Sequence, residues 1–326
     1  PTLAATLPHT ELGRAPTPVR ELSELATTSP GPAIWLKDDS RFGKRWGGNK
    51  ARKLEWILAD AQARDYKRIL TFGALGTNHG LSTALHAKDM GIETILLLVD
   101  QPIDEHVKHN FELIQDSGAI IYRTHSHTRT VVTTPWAMLR HADLRRRKLP
   151  YFLPVGGSSP VGAVGFVEAG LELGAQVAAG ELPEPSHVVL ALGSNGSTAG
   201  LTLGLRLAGL ATRVVAVNVN DKTDTSVAAV AELARKSEQL LCERGAEFDS
   251  VEIQPGDLTV TDTFLGSGYG EPTDAGNAAI VHARNLADLK LEPVYTGKAM
   301  AGLLELRSTG QFGGGPVLFW NTNNAL

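Results

Sequence analysis

Two turns of matching spacing carry the residues best suited to chemistry. They are Gly73-Ala74-Leu75-Gly76-Thr77-Asn78-His79-Gly80 and Gly193-Ser194-Asn195-Gly196-Ser197-Thr198-Ala199-Gly200. Each follows an apolar run and opens a helical pattern. A helix start offers free N–H groups and the positive end of a dipole, so it attracts anions, and glycine lets main chain come close to a ligand. Neither turn has the Gly-x-Gly-x-x-Gly spacing of a dinucleotide site or the Gly-Lys-Ser/Thr ending of a P-loop. The small donors Ser194, Asn195, Ser197 and Thr198 suit a phosphate. Thr77, Asn78 and His79 suit a carboxylate beside a reacting centre. Either turn alone would pass as an ordinary strand-to-helix connection, and only their repetition marks them.

A third segment, Gly47-Gly48-Asn49-Lys50-Ala51-Arg52-Lys53, puts a lysine where a loop becomes a helix. A lysine is a nucleophile only when its amine is neutral, and neighbouring cations such as Arg52 and Lys53 would favour that form. By spacing alone a solvated surface lysine is the commoner case.

These segments need a scaffold of strands leading into helices. Strands are expected at Ala33–Lys37, Arg68–Phe72, Glu93–Val99, Ala119–Arg123, His187–Leu192, Arg213–Val219 and Pro316–Trp320. Helices are expected at Val19–Leu25, Ala51–Arg64, up to about Met90, Val107–Ser117, Pro135–Arg147, Phe166–Gln176, up to about Leu210, Asp224–Gly245, Thr273–Asn285 and Lys298–Thr309. Leu54, Ile57, Leu58 and Ala61 share one helix face. Residues 151–165 are glycine-rich with few structure signals. This alternation implies an α/β fold with mostly parallel sheets and helices on both faces.

Composition bounds the function. The 326 residues, 42% apolar and 20% charged, are ample for a core without staples. A net charge of −4 gives no reason to expect nucleic acid or an acidic membrane as partner. The basic cluster Arg145-Arg146-Arg147-Lys148 reads as the end of a solvated helix. The single cysteine, Cys242, excludes an internal disulfide and any multi-cysteine metal site. His125-Ser126-His127 reads as a solvated loop, so no metal is expected. No apolar run is expected to cross a bilayer, and a cytoplasmic protein is the expectation.

The lysine segment, the Thr77-Asn78-His79 turn and Glu292-Pro293-Val294-Tyr295-Thr296-Gly297-Lys298-Ala299-Met300 together resemble the D-cysteine desulfhydrase and 1-aminocyclopropane-1-carboxylate deaminase family. These are fold-type II pyridoxal-phosphate enzymes, similar in fold to the tryptophan synthase β subunit. The resemblance runs from about Leu36 to the C-terminus. It implies two domains with open, twisted, mostly parallel sheets, a larger one of 1–50 and 166–326 and an inserted one of 51–165. It implies pyridoxal 5'-phosphate as cofactor, a small amino acid as substrate and a homodimer.

Position by position, the resemblance implies that Lys50 bonds the cofactor covalently and takes the α-proton of the substrate. Lys53 would lie near the phosphate. Asn78 would hydrogen-bond the phenolic oxygen of the ring. Gly193, Ser194, Asn195, Gly196, Ser197 and Thr198 would hold the phosphate. Thr322 would face the pyridine nitrogen. Thr77, Asn78 and His79 would hold the substrate carboxylate, with Tyr269 and Tyr295 flanking the substrate. Four positions depart from the family pattern: Thr77 stands for the usual Ser, Thr296 for the Glu of the deaminase branch, and Asn323-Asn324 for Gly-Gly. The implied reaction is elimination from an amino acid such as D-cysteine to pyruvate, ammonia and sulfide. Ring-opening deamination, β-replacement and a binding protein without turnover are the alternatives.

Overall fold

The computed structural model describes residues 2–27, 30–46, 48–103 and 105–324. Gly47, part of the lysine segment, lies outside them. In chain order the elements are β1 (Val19–Glu21), α1 (Ser23–Ala26), β2 (Ile34–Asp38), α2 (Asn49–Ala63), β3 (Arg68–Ala74), α3 (Asn78–Asp89), β4 (Glu93–Val99), α4 (Glu105–Asp116), β5 (Ile120–His125) and α5 (His127–Arg140). They continue with β6 (Tyr151–Phe152), α6 (Pro160–Ala178), β7 (His187–Leu192), α7 (Gly196–Leu207), β8 (Arg213–Asn218), α8 (Val227–Glu243), β9 (Leu258–Thr261), α9 (Asp274–Ala287), α10 (Thr296–Ser308) and β10 (Val317–Asn321).

The strands form two sheets. One has the order β1-β2-β10-β7-β8-β9, parallel except for the β1–β2 pair. The other, β5-β4-β3-β6, is wholly parallel. All strands of the second sheet fall in the chain between β2 and β7. The boundaries expected at 50/51 and 165/166 lie inside α2 and α6.

Apolar β-branched and leucine side chains fill both faces of the large sheet. Val188, Leu190, Val214, Leu318 and Trp320 meet α6, α7 and α8 on one side. Val189, Val215, Val217, Phe319 and Ile34 meet α1, α9 and α10 on the other. Strands covered on both faces read as continuous apolar runs, which is why they were legible. Helix α2 is buried on every side rather than on one stripe, with Arg52 and Lys53 enclosed beside Leu54 and Ile57.

Some expectations need correction. Residues 19–21 form an edge strand, and only Ser23–Ala26 is helical. Helix α5 begins at His127, where Ser126 caps it by accepting from the Arg129 N–H, and Pro135 lies within it. The β-branched run Thr130–Thr134 hides that helix from propensity. Arg145–Lys148 therefore lies past the helix, in a turn closed by Asp143 and Lys148. Strand β9 and the short β6 gave no clear pattern. Helix α6, with 19 residues, does have the length and apolarity of a membrane span, but 56% of its apolar window is packed inside the protein.

Candidate active site

The lysine turn, both glycine turns and the end of β10 meet at the C-terminal ends of the parallel strands, where open α/β sheets bind ligands. Gly48 has φ 75°, and a Cβ there would lie 2.7 Å from the Asn323 carbonyl and 2.8 Å from that of Thr322. Only glycine admits this approach. The Asn49 N–H donates to the Thr322 carbonyl (3.3 Å), so Thr322 lies against the turn that carries Lys50.

A buried ionic cluster pins the start of α2. Arg52 donates twice to Asp39 (2.7 and 2.8 Å) and also to Glu172 (3.0 Å). Lys37 donates to Glu172, the Gln176 amide oxygen and the Thr17 carbonyl. Trp320 Nε1 donates to Asp39 (2.8 Å). Arg52 is thereby neutralised and does not act on Lys50. The Lys50 amine is instead lowered to about 8 by burial alone.

Lys50 Nζ lies 3.9 Å from where a Cβ of Gly156 would be, and that Cβ would strike Ser194 Oγ at 2.1 Å. Gly156, at φ 67°, thus lets the 155–158 segment pass between Lys50 and the second glycine turn. Lys53 Nζ donates to the Gly156 carbonyl (3.1 Å) and lies 3.0 Å from a Cβ position on Gly196. Ser158, which sequence reasoning missed, accepts from the Gly196 N–H (3.1 Å), donates to the Ser194 carbonyl and lies 3.0 Å from Ser194 Oγ. Asn49 Nδ2 donates to Ser197 Oγ (3.1 Å). Asn195 takes φ 61° before α7 and donates to the Asp224 carbonyl (2.8 Å).

These residues fit a phosphate. Thr198 Oγ is buried at the first turn of α7 and has no hydrogen-bond partner among the described residues. A buried hydroxyl without a partner is costly, and an anion at the helix start would satisfy it. The third glycines of the two turns serve packing instead. A Cβ on Gly200 would lie 2.1 Å from the Ala163 carbonyl of α6, and one on Gly80 2.5 Å from the Thr77 methyl.

That methyl points back over Gly73 and Gly80. The Thr77 hydroxyl caps α3, accepting from the Gly80 N–H at 3.1 Å, and keeps its own proton to donate. Asn78 Oδ1 accepts from Asn110 Nδ2 (2.9 Å). The His79 ring turns inward. Thr71 Oγ gives its proton to the Leu153 carbonyl (2.9 Å), so His79 Nε2 is the donor to Thr71 (3.0 Å). Burial first, then the charges of Lys50 and Lys53, hold His79 well below its ordinary value, so it is neutral. Its ring is thereby engaged within the protein.

On the other side, Tyr295 Cε1 lies 3.0 Å from a Cβ position on Gly193, and its hydroxyl is 2.5 Å from that of Tyr269. Glu292 accepts from the N–H groups of Val294, Tyr295 and Thr296 (2.8, 2.9 and 2.7 Å). Thr296 Oγ donates back to Glu292 (3.1 Å). Thr296 is thus the buried first residue of α10, and the Glu292 carboxylate meets the N–H groups at the start of that helix.

The model of the pyridoxal-phosphate dependent enzymes matches residues 10–323. The chain belongs to that family. Among named relatives of the enzyme is a D-cysteine desulfhydrase of Salmonella paratyphi A, 35% identical over 98% of this chain and 94% of the relative. Another, from Klebsiella pneumoniae, is 34% identical over the same shares. A solved structure described as the ACC deaminase homologue superposes with a TM-score of 0.84 at 30% identity, covering 99% of this chain and 93% of that one. A pyridoxal 5'-phosphate-dependent aspartate racemase shares the fold, with a TM-score of 0.66 at 13% identity. The cofactor of the enzyme is pyridoxal phosphate, and the fold is the fold-type II arrangement.

Proposed function

We propose that the enzyme eliminates the β-substituent of a small amino acid such as D-cysteine, so that cysteine and water give pyruvate, ammonia and sulfide. The observation that carries this reading is the convergence on residues 193–194. Lys50, with its amine near pH 8, lies on one side and the Tyr269–Tyr295 pair on the other.

Lys53, Ser194, Asn195, Gly196, Ser197 and Thr198 would hold the phosphate, Asn78 the phenolic oxygen and Thr322 the pyridine nitrogen. The bound cofactor supplies an electron sink next to the substrate α-carbon. Lys50, neutral once freed, takes the α-proton. The donors of the Thr77–His79 turn hold the carboxylate. A tyrosine hydroxyl hands a proton to the departing group or its neighbour.

Ring-opening deamination is the second reading, favoured by the 0.84 superposition on the ACC deaminase homologue. Against it, position 296 offers no carboxylate, and its hydroxyl is committed to Glu292. We further propose an inserted lobe of 51–165 within a lobe of 1–50 and 166–326, a reading supported by the chain order of the two sheets. A cytoplasmic homodimer is proposed too. Val132, Trp136 and Leu139 on α5 leave an exposed apolar stripe that a second copy would cover.

The test is to add D-cysteine, L-cysteine and aminocyclopropane carboxylate separately to the holoenzyme, measuring sulfide, ammonia and keto acid. Sulfide and pyruvate from a cysteine are expected. A four-carbon keto acid from the cyclopropane substrate, with no sulfide from either cysteine, would overturn the elimination reading.

A further inference from the structure

Asn110, on α4, is completely buried although it is an amide among apolar neighbours such as Val107 and Ile114. Its Nδ2 makes two hydrogen bonds, to the Gly76 carbonyl and to Asn78 Oδ1, each 2.9 Å. These two bonds determine how the neighbouring amide faces. A backbone carbonyl only accepts, so the Asn110 atom facing Gly76 must be the NH2 group. That nitrogen carries a second hydrogen, which needs an acceptor. Asn78 must therefore present Oδ1 to Asn110 and turn its own NH2 the other way.

We propose that Asn110 is a positioning residue that holds Asn78 with its donor face toward the cofactor ring. The proposal rests on the reading that Asn78 donates to the phenolic oxygen. If the amide flipped, an oxygen would face that oxygen, and two acceptors would repel. The phenolic oxygen would then keep a proton, and the visible band of the lysine-bound cofactor would bleach toward the ultraviolet.

A purely structural role for Asn110, tying α4 to the turn through Gly76, would not alter the colour of the cofactor. Asn110→Asp separates the two. A carboxylate accepts only, so it would draw the Asn78 NH2 toward itself and away from the ring.

The experiment compares holoenzyme spectra and pyridoxal-phosphate dissociation constants of the wild type, Asn110→Asp, Asn110→Ala and Asn78→Ala at one pH. Asn110→Asp is expected to lose most of the visible band and to weaken cofactor binding about tenfold, the scale of one charge-assisted hydrogen bond. Asn110→Ala should shift the band less, in the same direction, and it carries the test if the buried carboxylate prevents folding. Wild-type spectra in the Asn110 variants, with a shifted spectrum in Asn78→Ala, would overturn the positioning role. An unshifted spectrum in Asn78→Ala would instead remove the reading of Asn78 on which the proposal rests.

Discussion

The hydroxyls of Tyr269 and Tyr295 share one hydrogen bond 2.5 Å long, although 26 residues separate them in the chain. Tyr269 is 39% exposed, whereas Tyr295 backs onto Gly193. Poor solvation raises both above the ordinary tyrosine value, so both are neutral at physiological pH. Acting as one proton-handling unit, they should be non-additive. Tyr269→Phe and Tyr295→Phe are each expected to lower kcat about a hundredfold, and the double variant little further. Steady-state kinetics of the three variants check this. Fully multiplied losses would mean two independent roles.

Lys50 gives a pH prediction. Burial lowers its amine from 10.5 to about 8, and only the neutral amine attacks an aldehyde. Cofactor uptake by the apoenzyme should therefore rise with pH through a midpoint near 8 and then level off. Stopped-flow absorbance reads this directly. Lys50→Ala should keep the circular dichroism of the wild type and lose both borohydride-stable labelling and turnover.

Thr198 separates cofactor binding from folding. Its buried hydroxyl has no partner among the described residues, so Thr198→Val removes an unmet polar group from the apoenzyme. The apoenzyme should melt at the same temperature or higher, while the dissociation constant for pyridoxal phosphate rises about tenfold. Calorimetry and spectroscopic titration check the two halves separately.

The buried ionic cluster predicts acid sensitivity. Desolvation alone would raise Glu172, but Arg52 and then Lys37 outweigh it and hold the carboxyl down at about 2, against 4.5 unperturbed. A depressed carboxyl stabilises the fold fully above about pH 4.5 and loses that contribution as pH falls toward 2. Urea unfolding across this range should show stability falling with acid, and Glu172→Gln should flatten that slope. Arg52→Ala is expected to cost about 3–5 kcal/mol at neutral pH, because it leaves Asp39 and Glu172 buried with too little positive charge.

Much of this enzyme was readable from local pattern. Strands such as Glu93–Val99 and His187–Leu192 are continuous apolar runs between turn residues, and the structure returns them with the same bounds. The two glycine turns and Lys50 were readable because their residue types and order are local properties of the chain. The first half of helix α5 and strand β9 were not, since capping by Ser126 and pairing with β8 override weak propensity.

The sequence by itself determined which residues could do chemistry and which strand-to-helix turns carry them, because both follow from neighbours a few positions apart. Only the tertiary structure decided how those residues face. It turned Arg52 into the Asp39–Glu172 cluster, although its place two residues from Lys50 suggests a charge acting on that amine. It folded the His79 ring under β3 and brought Asn110, 32 residues away, onto Asn78. Burial, charge pairing and amide direction depend on contacts between distant segments, and local sequence carries no record of them until the sheets assemble.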